Sequence, residues 1–478
     1  MVCVKIGTVD FNDFCPQELT LTDAIHEYFQ QNHDQFLEGL KSFLRIPSIS
    51  TLPEHKADIQ RAAEFVANEF RQMGLKTVEI IPGRGVQHPL VYAEWLEAPG
   101  KATLLCYGHY DVQPPDPLDE WLSPPFEPAI RNDNIYARGA VDDKGQTYLI
   151  LKAVEGFLKT EGKLPINVKV LIEGEEEVGG GHIDEYVTTH GDRLKADAAL
   201  VCDTEMFAPE LPTITVGLRG LVYTEVEARG AAYDLHSGVY GGAAPNPMQA
   251  LAEIITGLKG RDGRIRIPGF YKRVKKPARA ELAAWKRLPF SEKAFLKNEI
   301  GSTSLTGEKG ISVLERLWAR PTLEVHGFRG GFTGEGSKTV IPAVATAKIS
   351  MRLVPDMDPD EVIRQFTSAV KTLTPKGIKT TIRILSKAPA SVVPTDSRWI
   401  AASSEAFHQV FHKKTVFIRS GGSIPIVATF LDHLSIPSVM MGFGLPDDRL
   451  HSPNEKFHLP NFYRGIETVA RFIWLLAQ

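Results

Sequence analysis

Cysteine is scarce in this chain: four residues in 478. Cys3, Cys15, Cys106 and Cys202 show neither metal-ligand spacing nor a disulfide-framework pattern, which argues against a stapled secreted scaffold. Cys106 and Cys202 sit inside apolar, strand-like runs and read as small core residues, so a reducing, cytoplasmic setting is expected. Long apolar runs are missing too; none approaches the roughly 20 residues that span a bilayer. The opening residues, MVCVKIGTVDFNDFCPQ, lack a continuous apolar core behind a basic start, so no secretory signal is expected. Nor is there an excess of positive charge. With 54 Lys and Arg against 58 Asp and Glu, the net charge is −4, which argues against nucleic-acid or anionic-membrane partners. There is no internal repeat, no low-complexity tract and no phosphate-cradling GxxxxGK[ST] loop.

What remains is the balance of an ordinary globular protein, 43% hydrophobic and 23% charged. Residues 1–20 read as a loose extension. From Leu21 the pattern is helical, with Phe36, Leu40, Phe43 and Leu44 at helical spacing before Pro47. A second amphipathic helix, ADIQRAAEFVANEFRQMGL, closes at Gly74. Strand and helix then alternate: ATLLCYGHYD, the helix DDKGQTYLILKAVEGFLKTEG, the alternating PINVKVLIEG, and ADAALVCDTE. This order predicts an α/β fold, a mostly parallel sheet covered by helices on both faces. After TITVGLRG the strands become two-faced, as in LVYTEVEARG and ATAKISMRLVP, with helices such as PDEVIRQFTSAVKTL between them. A smaller α+β domain with an antiparallel sheet is expected over 219–390, inserted in a main domain of 21–218 and 391–478. The basic stretch YKRVKKPARAELAAWKR reads as a solvated face.

The stretch VLIEGEEEVGGG poses an electrostatic question. Glu173, Glu175, Glu176 and Glu177 crowd together at the end of a buried strand and need either water or a counter-charge. Ligand chemistry in an open α/β sheet gathers beyond the strand C-termini, and other strands end there in similar residues. YGHYD supplies His109 and Asp111, VCDT supplies Asp203, and a loop after a late strand supplies His451. ARGAVDDKGQ adds Asp142 and Asp143 just before a long helix. Any one of these alone is more ordinary: His-x-Asp is common, EEE is usually a solvated helix start, and Asp203 alone would cap a helix. Their joint placement on one rim suits two divalent cations of borderline softness. Two such ions, about 3.5–4 Å apart, share and activate a water.

The order of motifs GHYDVQP, ARGAVDDKG, EGEEEVG, CDT, DLHSGVYGG, GSKTVIP, MRLVP, GGSIP and LHSPNEK resembles the di-zinc aminoacylase, carboxypeptidase and dipeptidase family. Within it, the carnosinase and cytosolic nonspecific dipeptidase branch is most similar, from about residue 35 to the C-terminus. The resemblance implies that His109 and Asp203 bind one metal and His451 and Glu177 the other, with Asp142 bridging. Asp111 then orients His109, Glu176 is the general base, and a cis peptide joins Asp142 to Asp143. It further implies that His236 reaches a partner subunit's site to stabilise an oxyanion, which calls for a homodimer through the inserted domain. Thr339, Arg352 and Ser423, with the backbone amides of Gly421 and Gly422, match positions that bind substrate and its free carboxylate. Two zinc ions per subunit are expected, with manganese as the alternative. His326 is left structural.

The expected activity is hydrolysis of dipeptides or very short peptides with a free C-terminal carboxylate. The same site on a different amide would make an N-acyl-amino-acid deacylase, a desuccinylase or a carboxypeptidase. A carboxylate-rich magnesium enzyme of phosphoryl transfer is disfavoured by two imidazoles among the ligands. A non-catalytic binding protein on this fold would be expected to have lost one or more of them. The segment from GRIRIPGF to LTGEKG reads as a long helical lid elaborating the inserted domain, suited to enclosing small substrates.

Overall fold

The computed structural model describes residues 21–478; the proposed extension 1–20, with Cys3 and Cys15, lies outside them. The first helical pattern is two helices rather than one, Asp23–Gln31 and His33–Leu44. The break falls at Asn32, whose carboxamide donates to the Tyr28 carbonyl at 2.7 Å. Short polar side chains of this kind compete with the helical ladder for its own carbonyls.

The large sheet runs in the order Thr77–Ile81, Leu90–Trp95, Asn167–Glu173, Thr103–His109, Ala198–Val201, Ser438–Met441, Thr213–Leu218, Ser391–Val392, with Val416–Ser420 also paired to Thr213–Leu218. Its middle four strands, from Asn167–Glu173 to Ser438–Met441, are mutually parallel; antiparallel strands are added at both edges. The middle strands are buried nearly throughout, as a sheet covered on two faces requires. One cover is the helix Lys144–Thr160, buried from Lys144 to Phe157. It approaches the sheet closely at Gly108, where a Cβ would stand 2.0 Å from Thr147 Oγ1. Only glycine admits that approach, and it fixes the next residue, His109, against the start of the helix.

The chain leaves this sheet at Leu218 and enters a second sheet at Gly220. That sheet is antiparallel, in the order Thr322–Gly330, Val344–Leu353, Gly220–Arg229, Lys379–Ala388. Gly220–Arg229 alternates buried and half-buried positions, the signature of a sheet with one covered face. The helices Pro247–Leu258 and Pro359–Leu373 supply the cover, capped by the side chains of Asn246 and Asp358. Val222, Val226, Leu251, Ile254, Ile349, Met351 and Phe366 form its own apolar cluster.

The lid segment differs from its expected form. It is a set of short helices, Arg279–Trp285, Glu292–Ala294 and Phe295–Ile300, with a further helix, Val313–Trp318, just beyond its end. Trp285 and Leu288 of the segment join Leu314 and Trp318 of that further helix and Ile418 of the large sheet in a separate apolar cluster. Arg419 and Glu281 close the same seam with a two-pronged ion pair at 2.7 and 2.8 Å. The lid thus packs on the main unit. The lysines and arginines of its basic stretch, Lys272, Arg273, Lys275, Lys276, Arg279, Lys286 and Arg287, are exposed.

Candidate metal centre and substrate cavity

The four parallel strands of the middle deliver their C-terminal ends to one rim. His109 ends the strand Thr103–His109, and Asp203 follows Ala198–Val201 by two residues. Glu176 and Glu177 follow Asn167–Glu173, and His451 lies in the loop after Ser438–Met441. Two groups of potential ligand atoms result, His109–Asp142–Asp203 and Asp142–Glu177–His451, each with all its atoms within 4.8 Å. Asp142 belongs to both. Its Oδ1 lies 3.2 Å from His109 Nε2 and its Oδ2 lies 2.9 Å from His451 Nε2. His451 Nε2 is also 3.3 Å from Glu177, and His109 Nε2 is 4.0 Å from Asp203. The Asp142–Asp143 peptide is cis.

This arrangement fits two cations by its own chemistry. His109 is fully buried, and its Nε2 has no hydrogen-bond partner, an orphan that a metal would satisfy. Its other nitrogen, Nδ1, lies 3.1 Å from the Asp111 carbonyl and 3.4 Å from the Asp111 carboxylate. Donation from Nδ1 leaves the Nε2 lone pair facing the acids, the tautomer a ligand needs. The crowded acids behave as groups short of positive charge. Burial first, then Asp142, pushes the Asp203 carboxyl up to about 7. Burial, with Asp203 and Glu177 beside it, raises Glu176 well above the usual carboxylate range, although His109 pulls the other way. Hydrogen bonds donated to Asp142 and Glu177 raise His451 to about 10. For His109, burial opposes the charge but Asp111 and Asp142 outweigh it. Asp142 is lowered: burial opposes ionisation, and the two histidines prevail.

The glutamates of EGEEE divide their roles by direction. Glu173 is buried and accepts from the Tyr107 hydroxyl at 2.6 Å. Glu175 turns inward and accepts from the His88 and His182 amides at 2.5 and 2.9 Å. Glu176 faces the cavity. Glu177 faces His451 and accepts from Gln113 Nε2 at 2.8 Å. Asp111 accepts from the Glu176 and Glu177 amides at 3.2 and 3.1 Å, so it anchors the turn carrying both as well as His109. Asp143 is no part of either ligand group; it accepts from Thr147 Oγ1 at 2.8 Å and from the His109 amide at 3.2 Å.

Beside this centre lies a cavity of about 660 Å³, lined among others by Asp142, Glu176, Asp203, His451 and Arg352. Gly421, Gly422 and Ser423 line it too, and Phe290 and Phe295 of the lid, with Trp318 just beyond it, form part of its wall. Arg352 Nη1 donates to Ser423 Oγ at 2.7 Å. His236 and Thr339 are not among the lining residues. They lie together on the inserted unit, where the Ser237 amide donates to the Thr339 carbonyl at 3.0 Å. Both are exposed. His236 Nδ1 accepts from the Gly238 amide at 2.9 Å, which leaves Nε2–H as the outward donor of the neutral ring. His326 Nε2 meets Ser350 Oγ at 2.7 Å, and its ring stands edge-on to Tyr223.

Supporting residues that the motifs did not single out are Gln113, Arg138, Arg219 and Glu455. Glu455 is fully buried and accepts from the amides of Gly139, Val141 and Asp142 at 3.0, 3.0 and 3.2 Å. Arg138 Nη1 completes the cradle at 2.7 Å. Burial pushes the Glu455 carboxyl up to about 7 against Arg138 and the Gly139 amide; four donors around two oxygens suit the ionised form. The signal was the acid in HSPNEK, four residues beyond His451.

Residues 105–475 match the model of "Peptidase family M20/M25/M40". The chain is 31% identical over 474 residues to the Cys-Gly metallodipeptidase dug1 of Schizosaccharomyces pombe, covering 95% of this chain and 98% of that protein. It is 30% identical over 476 residues to the human Beta-Ala-His dipeptidase, covering 96% and 93% respectively. Among solved structures, the M20 family metallo-carboxypeptidase Sso-CP2 of Sulfolobus solfataricus superposes with a TM-score of 0.85 at 33% identity, over 93% of this chain and 99% of that one. With motif order, rim geometry and nearly full-length similarity in agreement, the chain belongs to the peptidase family M20/M25/M40.

Proposed function

We propose that the protein is a metal-dependent dipeptidase, hydrolysing the peptide bond of dipeptides or very short peptides with a free C-terminal carboxylate. One observation carries the reading: Asp142 turns one oxygen to each histidine group, in the same cavity that holds Glu176 and the Arg352–Ser423 pair. His109 and Asp203 would hold one ion, His451 and Glu177 the other, and Asp142 both. Zinc suits the mixed imidazole and carboxylate donors, with manganese as the alternative. Bound there, such ions polarise the scissile carbonyl and bring the pKa of water toward neutrality.

Glu176 accepts the proton of the attacking water as its oxygen bonds to the carbonyl carbon. It returns that proton to the amine as the C–N bond breaks. Arg352 and Ser423, with the Gly421 and Gly422 backbone, hold the free carboxylate. His236, a fixed Nε2–H donor facing outward, would stabilise the oxyanion in a partner's site, with Thr339 beside it. A homodimer through the inserted unit is supported by the exposed Tyr233, Val239 and Tyr240 around His236. The two apolar clusters support reading 219–390 as an insertion between the halves 21–218 and 391–478. The free, buried Cys106 and Cys202 fit a reducing, cytoplasmic setting; no described helix is long and apolar enough to cross a membrane.

A second reading, carboxypeptidase, draws on the similarity to Sso-CP2. The lid wall over a cavity of about 660 Å³ favours the smaller substrate. The test is metal content together with a panel of dipeptides, longer peptides and N-acetyl amino acids. Two equivalents of metal and preferred dipeptide cleavage are expected. Glu176→Gln should keep both ions and lose about 10²–10⁴-fold in kcat. Fewer than two equivalents, or near-normal turnover by that variant, would sink the assignment.

A further inference from the structure

Arg219 is the single residue between the two sheets. It follows the strand Thr213–Leu218 and precedes Gly220–Arg229. Its side chain is nine-tenths buried, and three of the hydrogen bonds made by its side chain and backbone go to the loop Gly421–Ser423. Nε donates to the Gly421 carbonyl at 2.9 Å, and the Arg219 amide donates to the Gly422 carbonyl at 3.1 Å. The Arg219 carbonyl accepts from Ser423 Oγ. Nη1 reaches the Arg320 carbonyl at 3.4 Å. Arg352, the neighbouring guanidinium, is held to the same loop through Ser423 Oγ and comes from the other unit, opposite Leu221 in the register.

Neither guanidinium forms a salt bridge among the described residues, and each has only neutral partners. Glu324, the carboxylate that acts on Arg219 from a distance, is itself held by Lys259 at 2.7 Å. Two adjacent, uncompensated positive charges, one of them buried, are costly in a protein interior. A native fold retains such a pair where a ligand supplies the anion, and arginine keeps its charge at any working pH.

We infer that Arg219 is a positioning residue for the substrate carboxylate. It holds the Gly421–Ser423 loop from behind, and its buried charge, added to that of Arg352, makes this end of the cavity select a C-terminal anion. The inference rests on the dipeptidase reading, since that reading places the carboxylate against Arg352 and Ser423. It goes beyond it by assigning carboxylate selectivity to a residue outside the cavity wall.

The test measures binding without turnover. Glu176→Gln holoenzyme and the double variant E176Q/R219Q are titrated calorimetrically with alanylalanine and with alanylalanine amide. Glutamine keeps a donor for the Gly421 carbonyl and removes the charge together with the long Nη1 contact to the Arg320 carbonyl. The expected result is a loss of tenfold or more in affinity for the free acid and less than twofold for the amide. Arg219→Lys, which keeps the charge, should hold affinity for the acid within about fivefold. Equal losses for acid and amide would reduce Arg219 to a scaffold residue, and unchanged affinity for the acid would refute the inference outright. A lysine variant as weak as the glutamine variant, or one that misfolds, would also overturn it. If the parent protein binds acid and amide equally, the carboxylate reading itself fails, a result distinct from the others.

Discussion

Replacing Glu455 by Gln removes one charge from beneath Asp142 and touches no proposed ligand side chain. The wild-type carboxylate takes two bonds on each oxygen: Gly139 N and Arg138 Nη1 on Oε2, Val141 N and Asp142 N on Oε1. Glutamine must turn its NH2 group toward one of these donor pairs. It keeps the Arg138 side by giving up the Val141 and Asp142 amides, two buried donors at about 1–3 kcal/mol each. Arg138 is also left without its counter-charge; its side chain is 1% exposed, and breaking a buried pair costs about 3–5 kcal/mol. Because these costs fall on one network and do not add, the expected loss in urea unfolding of the metal-free protein is that of the broken pair, about 3–5 kcal/mol. Metal affinity should fall about 10–100-fold, the usual cost of removing support behind a ligand. Arg138→Met combined with Glu455→Gln should cost less than the sum of the single changes, because neither charge is then left alone. A stability loss under about 1 kcal/mol with unchanged metal affinity would refute the claim that Glu455 holds the Asp142 loop.

Asp111→Asn should lower kcat about 10–100-fold with metal still bound, since Asp111 anchors the Glu176 and Glu177 amides and faces His109 Nδ1; steady-state kinetics with metal analysis checks it. Metal affinity should depend on pH with a definite sign. The Asp203 carboxyl, pushed up to about 7 in the metal-free protein, carries a proton below that pH, and a cation must displace it. Competition titrations should therefore show affinity falling more steeply with decreasing pH below about 7, by up to a further tenfold per pH unit for that proton, on top of the fall that the His451 proton imposes below about 10. Glu281→Gln removes one side of the Arg419 pair that ties the lid to the large sheet. A several-fold rise in KM with a smaller change in kcat is expected from kinetics on a dipeptide.

What could be read from the sequence is what repeats along the chain. Alternating Ile166, Val168, Val170 and Ile172 gave a strand, and polar residues just past four such strands gave a rim. Because those strands lie side by side and parallel, residues as distant as His109 and His451 come to share Asp142. The helix break at Asn32 was hidden because the apolar spacing continues on both sides of it. The lid's seat was hidden for another reason: its Trp285 marks a buried face without naming the partner, and Ile418 of the large sheet lies outside the insertion. The supporting charges were the hardest to foresee. Arg219 serves Gly421 from 202 residues away and Glu455 serves Asp142 from 313, through backbone groups that every residue possesses. A side chain bonded to a main-chain amide leaves no complementary residue type to search for, so only the folded path reveals it. Metal ligands are legible because few residue types can do their work, whereas the groups that hold those ligands in place can be supplied by almost any loop.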